Sequence, residues 1–197
     1  MRAQQREATR LAIVDATIDC LVEDGYAALT TRRVAERAKV AQSTVMHHFD
    51  TREALLVEAV TRVALRLAEH GLRIDLAALR APEQREAILD QAWREFTSPE
   101  ALAAAQLWGA AWNEPELVPT IRELEERISA IIVTTGNALF PDLVGDTRLP
   151  ALLDATVALI RGLVMGIPIW GHEVMTARWE LMKPLLLQSA AEILDAT

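Results

Sequence analysis

The 197-residue chain is poor in several things: one cysteine, one tyrosine, three phenylalanines, and eight each of glycine and proline. A single thiol, Cys20, excludes an intrachain disulfide, and it is expected as a small apolar residue on the buried side of a first helix. Few aromatic strand-formers against abundant Ala and Leu point to an all-α chain. The opening decapeptide MRAQQREATR lacks the apolar core of a signal peptide, so a cytoplasmic protein is expected. Catalytic signatures are also missing. There is no GxSxG, no glycine-rich phosphate loop and no spaced Cys/His pair. Of the histidines at 47, 48, 70 and 172, only the first two are close. Neighbours on a helix point about 100° apart and make poor co-ligands. No catalytic residue, metal or cofactor is expected, and the chain reads as something other than an enzyme.

The net charge of −8 looks unfavourable for a nucleic-acid binder. Its distribution softens that. Residues 1–60 hold 8 Lys and Arg against 9 Asp and Glu, leaving −1 there and −7 in the remainder. The positive charge of the first part is localised at Arg2, Arg6, Arg10, Arg32, Arg33, Arg37, Lys39 and Arg52. Any grip on DNA should therefore be local and sequence-selective rather than a broad electrostatic one.

What is present centres on residues 29–56, LTTRRVAERAKVAQSTVMHHFDTREALL. Thr30 can cap a short helix whose Val34, Ala35 and Ala38 share a face. Lys39, Val40 and Ala41 leave room only for a turn. A second helix, residues 42–49, turns Val45 and Phe49 inward and Gln42, Ser43, Met46 and His47 outward. Asp50 or Thr51 can cap a third helix, with Glu53 where the helix dipole favours an anion. Two closely crossing helices, the second offering short polar side chains, suit the roughly 12 Å major groove of DNA. Three ordinary amphipathic helices would give the same periodicity.

The residues themselves decide between these. Thr30-Thr31-Arg32, Val34-Ala35, Val40 to Val45, His48-Phe49 and Arg52 to Leu56, preceded by Gly25-Tyr26, resemble the DNA-binding half of TetR-family bacterial repressors. By that resemblance Arg32, Gln42, Ser43 and His47 meet base edges, Thr31, Thr44, His48 and Arg52 meet phosphates, and Met46 lies on the same face. Two positions depart from the family pattern. Lys39 replaces a usual glycine and must adopt a left-handed backbone, at a cost on the order of 1 kcal/mol. Met46 replaces a usual tyrosine and loses its hydroxyl.

Around this motif, residues 6–24 read as an amphipathic helix with Ile13, Ala16, Thr17 and Leu21 inward. A helix from 52 keeps its spacing through Leu55, Leu56, Ala59, Val63 and Leu67, with a break expected at Gly71 and helix-compatible sequence again from 72 to 79. Helices follow at 83–97, 100–113 and 116–140, the last with Leu117, Ile121, Leu124, Ile128, Ile131 and Thr135 on one stripe. A loop over 140–150 leads to 152–170, apolar nearly all round, and then to 174–195. The apolar run could span a bilayer, but Asp154 and Arg161 would each cost roughly 2.5–3.5 kcal/mol there, so no membrane partner is expected. The expected architecture is all-α: a helix-turn-helix domain, residues 1–55, joined by a helix to a larger domain, residues 56–197, about nine helices in total.

The family resemblance implies that the second domain holds an effector pocket and pairs through its last two helices. Trp93, Trp108, Trp112, Trp170 and Trp179 all lie after residue 90. Trp93, Trp108, Trp112, Met165, Trp170, His172 and Met175 are the expected ligand residues, for a small apolar or aromatic effector that the sequence does not identify. Leu159, Gly162, Gly166, Met182 and Leu186 are expected at a homodimer interface, the two glycines allowing close helix approach. The implied function is a dimeric repressor of a palindromic operator in double-stranded DNA. A ligand-independent architectural or partner-binding DNA protein, and a small-molecule carrier without DNA binding, are the other readings.

Overall fold

In the computed structural model the described residues are 2–73 and 76–195. They form an all-α fold without strands. In chain order the helices are α1 (Arg2–Asp24), α2 (Thr31–Ala38), α3 (Gln42–His48), α4 (Arg52–Arg73), α5 (Pro82–Phe96), α6 (Pro99–Ala110), α7 (Val118–Leu139), α8 (Arg148–Trp170) and α9 (His172–Leu194). Short 3₁₀ turns at Tyr26–Ala28, Leu76–Arg80, Pro115–Leu117 and Pro141–Leu143 link some of them.

Packing divides the chain into two compact units. One comprises Met1–Arg66 and Pro99–Leu124; the other Leu67–Ser98 and Glu125–Thr197. In the first, α1 packs on α2 and α6, and α2 on α3. Its core contains Ile13, Ala16, Thr17 and Leu21 of α1, as their spacing predicts, with Val34, Val45, Phe49, Leu55, Leu56 and Ala59. The buried Thr17 hydroxyl is satisfied within its own helix, donating to the Ile13 carbonyl at 2.8 Å. Cys20 is buried beside them and free, and burial pushes its thiol up. Because α6 packs on α1, residues 99–124 group with the N-terminal motif by packing. The expected division at residue 55 does not coincide with these packing units.

In the second unit, α8 runs along α9, and α5 packs on both. One buried cluster joins Leu79, Phe140, Leu143 and Leu149 to Ala190, Ile193 and Leu194 at the end of α9. Arg85, itself buried, fastens that end: its Nε donates to the Leu79 carbonyl at 2.7 Å and its two Nη groups grip the Asp195 carboxylate.

Several boundaries differ from expectation. Helix α4 continues through Gly71 to Arg73; an interior glycine costs about 1 kcal/mol relative to alanine but does not end a helix. Helix α8 starts at Arg148, not at 152, where the Asp146 carboxylate accepts the Arg148 backbone N–H at 2.8 Å and so serves one orphan donor of the first turn. Pro168 and Pro184 lie inside helices that run on past them. The side chains of Leu67, Leu124, Ile128 and Ile131, and residues 74 and 75, lie outside the described residues.

Candidate functional site

The helix-turn-helix is built by local rules. The Thr30 hydroxyl accepts the Arg33 backbone N–H at 3.2 Å, capping α2. The turn closes α2 with Lys39 in the left-handed region, φ 56° and ψ 40°, as the departure from glycine requires. Its geometry is a Schellman-type closure, with the Val40 N–H reaching the Ala35 carbonyl at 3.0 Å. Helix α3 then presents its two faces. Val45 and Phe49 are buried, while Gln42, Ser43, Met46 and His47 are exposed and Thr31, Thr44 and His48 half-buried. The Gln42 amide donates to the Thr31 hydroxyl at 3.1 Å, tying the starts of α2 and α3 together on the exposed side. Thr51 caps α4, accepting the Ala54 N–H at 3.0 Å.

Arg52 is held inward. Its Nε donates to the Leu29 carbonyl at 3.1 Å, its Nη2 to the Tyr26 carbonyl at 3.0 Å, and its guanidinium stacks 4.7 Å over the Tyr26 ring. Tyr26 is fixed in turn from α6 and the segment after it: its N–H donates to Gln106 at 2.8 Å and its hydroxyl to Glu114. Burial and that bond to a carboxylate push the Tyr26 hydroxyl up to about 12. His48 packs edge-on to His47 with ring centres 5.8 Å apart. Burial lowers its pKa, and Arg6, His47 and Arg10 lower it further.

In the second unit, Trp93 and Trp179 stack between α5 and α9, centroids 5.5 Å apart and planes within 8°. His172 lies against Trp93 at 6.2 Å. Met175 is buried, its Sδ where a Cβ on Gly166 would lie 2.7 Å away. So three of the seven expected ligand residues, Trp93, His172 and Met175, fall on or beside the α5–α9 packing. Met165 and Trp170 point to solvent from α8. Trp108 and Trp112 belong to the other unit, Trp112 being 89% exposed.

Residues 13–59 match the family described as bacterial regulatory proteins, tetR family. Residues 13–59 form a TetR-family domain. The chain is 28% identical over 158 residues to the HTH-type transcriptional regulator BetI of Burkholderia thailandensis, covering 80% of both chains. It is 33% identical over 110 residues to the HTH-type transcriptional repressor KstR of Rhodococcus jostii, covering 50% of this chain and 52% of that one. Its fold is that of the multidrug binding protein EbrR, solved as a complex with ethidium, with a TM-score of 0.66 at 22% identity over 92% of this chain and 98% of that one. TetR-family regulators are transcription factors, not enzymes, in keeping with the missing catalytic signatures.

The five residues expected at a partner interface have different surroundings within their own chain. Gly166 faces α9 of its own chain, against Met175, and Leu186 is buried in its own core; Leu159 and Met182 are half-buried. Gly162 alone of the five is open, with nothing within 4 Å of a Cβ placed there. On α8 it continues an exposed stripe of Ala151, Ala155, Ala158, Met165 and Ile169, and α9 adds Val174, Leu181 and Leu185. Sequence reasoning did not select Leu181 and Leu185, because three consecutive leucines, 185–187, leave the periodicity ambiguous. It also missed two anchors of the chain. Lys183 is buried on α9 against Asp90, Glu180 and Glu86 at 2.8, 2.8 and 3.1 Å. Burial opposes its charge, but the three carboxylates outweigh burial and hold its pKa above the ordinary value. Trp179 stands one turn away with its Nε1–H unpaired. The signal for both was the 175, 179, 183, 186, 190 spacing, which a lysine in an apolar helix obscured.

Proposed function

We propose that this regulator is a repressor that binds a palindromic operator as a homodimer in the cytoplasm and is released by a small apolar or aromatic effector. The observation that carries the reading is the division of α3: Val45 and Phe49 anchor it while Gln42, Ser43 and His47 lie exposed together. These three and Arg32 are the base-reading set; Thr31, Thr44 and His48 meet phosphates, and Met46 covers the same face. Residues 1–55 carry this activity, and residues 56–197 carry effector binding and dimerisation.

Dimerisation is supported by α8. It is long and apolar enough to cross a bilayer, and it exposes the stripe through Gly162, Met165 and Ile169. A second copy covering that stripe and Leu181 and Leu185 removes the apolar surface from water. It also pairs two reading helices for half-sites about 34–36 Å apart. Arg161 suits a helix beside protein rather than lipid, since it pairs with Glu125 at 2.9 Å. The effector class is supported by the Trp93–Trp179–His172 cluster and by EbrR, which is complexed with ethidium.

The test is a footprint on the DNA flanking the regulator's own coding sequence, followed by ethidium titration. A protected palindrome that ethidium clears supports the proposal. A palindrome that no aromatic compound clears removes the effector, and the absence of any footprint removes the operator.

A further inference from the structure

The helix-turn-helix spends nearly all of its positive charge internally. Arg33 pairs with Asp24 at 2.8 Å, Arg37 grips Glu23 with Nη1 at 2.7 Å, and Arg32 lies 3.5 Å from Glu36. Arg52 is committed to the Leu29 and Tyr26 carbonyls. Among the described residues from 25 to 60, Lys39 is the one Lys or Arg whose side chain meets no carboxylate or carbonyl. It is exposed, and it sits three residues before Gln42, between α2 and the reading helix.

Lys39 is also the one non-glycine residue at positive φ among the described residues. L side chains rarely occupy that region, whereas glycine does so freely. The Schellman closure needs only the backbone of this residue. A side chain held there at a cost in strain points to a role outside the fold. A favourable interaction with the C-terminal end of the α2 dipole is the plain alternative, and it predicts a role in stability alone.

We propose that Lys39 is a DNA-backbone contact: an ammonium at the turn, without a partner in the free protein, that neutralises a phosphate beside the half-site. It rests on the operator-binding reading above. Phosphate contacts of this kind set affinity and its salt dependence without choosing sequence. The internal ion pairs explain why the contact matters here, since the paired arginines of α2 must break existing bonds to meet DNA and Lys39 need not.

Two variants separate charge from strain. Lys39→Gly removes both; Lys39→Gln removes the charge and keeps a side chain at positive φ. Each is titrated by fluorescence anisotropy from about 50 to 200 mM salt against the footprinted duplex and a mixed-sequence duplex of equal length. Both variants should lose roughly five- to tenfold in affinity for both duplexes, with a log–log salt slope shallower by about 0.9. Lys39→Gly alone should raise Tm by about 2–4 °C. Wild-type affinity and salt slope in both variants would overturn the proposal in favour of the dipole role. A lower Tm in Lys39→Gly would overturn the strain argument. If the wild-type protein binds neither duplex, the operator reading fails first, an outcome distinct from variants that match a binding wild type.

Discussion

At the scale of single residues, Arg52 shows how a family-implied role meets local geometry. Its Nε and Nη2 are consumed by the Leu29 and Tyr26 carbonyls, and its plane covers Tyr26. Its main work is to pin the turn that leads into α2. Hydrogen bonds from a charged group are worth about 1.5–3 kcal/mol, so Arg52→Ala should lower unfolding stability by roughly that much. It should weaken operator binding while leaving the salt slope near wild type, which titration across salt concentrations checks; a slope shallower by about one would assign Arg52 to a phosphate instead. His48 gives a pH dependence with a definite sign. Its pKa is depressed in the folded protein by burial and by Arg6, His47 and Arg10, with Glu7 opposing. The unfolded chain therefore binds more protons as pH falls below about 6.5, and the stability contribution present above that pH is lost on descending through the folded pKa. His48→Gln should flatten the urea midpoint over that window. DNA acts the other way, because a phosphate favours the charged imidazole. Operator affinity should rise as pH falls from about 8 to 6, and His48→Gln should flatten the rise.

At the scale of elements, α8 and α9 separate two glycines that look alike in sequence. A side chain at Gly166 meets Met175, which is 1% exposed and has little room to move; a side chain at Gly162 meets nothing in its own chain. Gly166→Leu should therefore destabilise the monomer by about 1–3 kcal/mol through overpacking. Gly162→Leu should leave the fold of the single chain intact and shift the sedimentation of the proposed dimer toward monomer. Equal loss of stability in both would place the two glycines on one internal face. The same pair shows what was legible beforehand. Periodicity located α1, α2 and α3 and their inward residues because each alternates apolar with polar positions. Thr30, Lys39 and Thr51 fixed the ends through chemistry that a sequence displays. In α8 almost every position is apolar, and in α9 the run of three leucines at 185–187 blurs the period, so the inward face could not be chosen by period; Leu186, expected at a partner interface, is buried in its own chain while Leu185 is exposed. The end of α4 was misplaced for a different reason: a lone glycine weakens a helix but only context decides whether it stops. The aromatic cluster was half legible. Tryptophan count suggested a site, but composition could not tell that Trp93 stacks on Trp179 while Trp112 stands in solvent.

At the scale of the whole molecule, the proposed repressor has two ligands, DNA and effector, and linkage constrains them whatever motion connects their sites. If an effector lowers operator affinity by some factor, operator must lower effector affinity by the same factor, typically 5–150-fold. An effector that binds the DNA-competent and incompetent states equally shifts nothing. Ethidium is a workable probe, and the Trp93–Trp179 stack supplies fluorescence that a neighbouring ligand quenches. Its dissociation constant should be measured on the protein alone, on the protein with saturating operator, and on the protein with an unrelated duplex. Ethidium also intercalates into DNA, so each duplex alone is titrated as a reference. The operator, and not the unrelated duplex, should weaken ethidium binding by the factor by which ethidium weakens operator binding. Unequal factors would mean that ethidium acts on the DNA rather than on the regulator. Trp93→Phe should reduce ethidium affinity and leave operator affinity in the absence of ethidium unchanged, since Trp93 lies in the unit that does not contain α3. If Trp93→Phe binds ethidium as well as the wild type, the stack is core packing and the effector sits elsewhere.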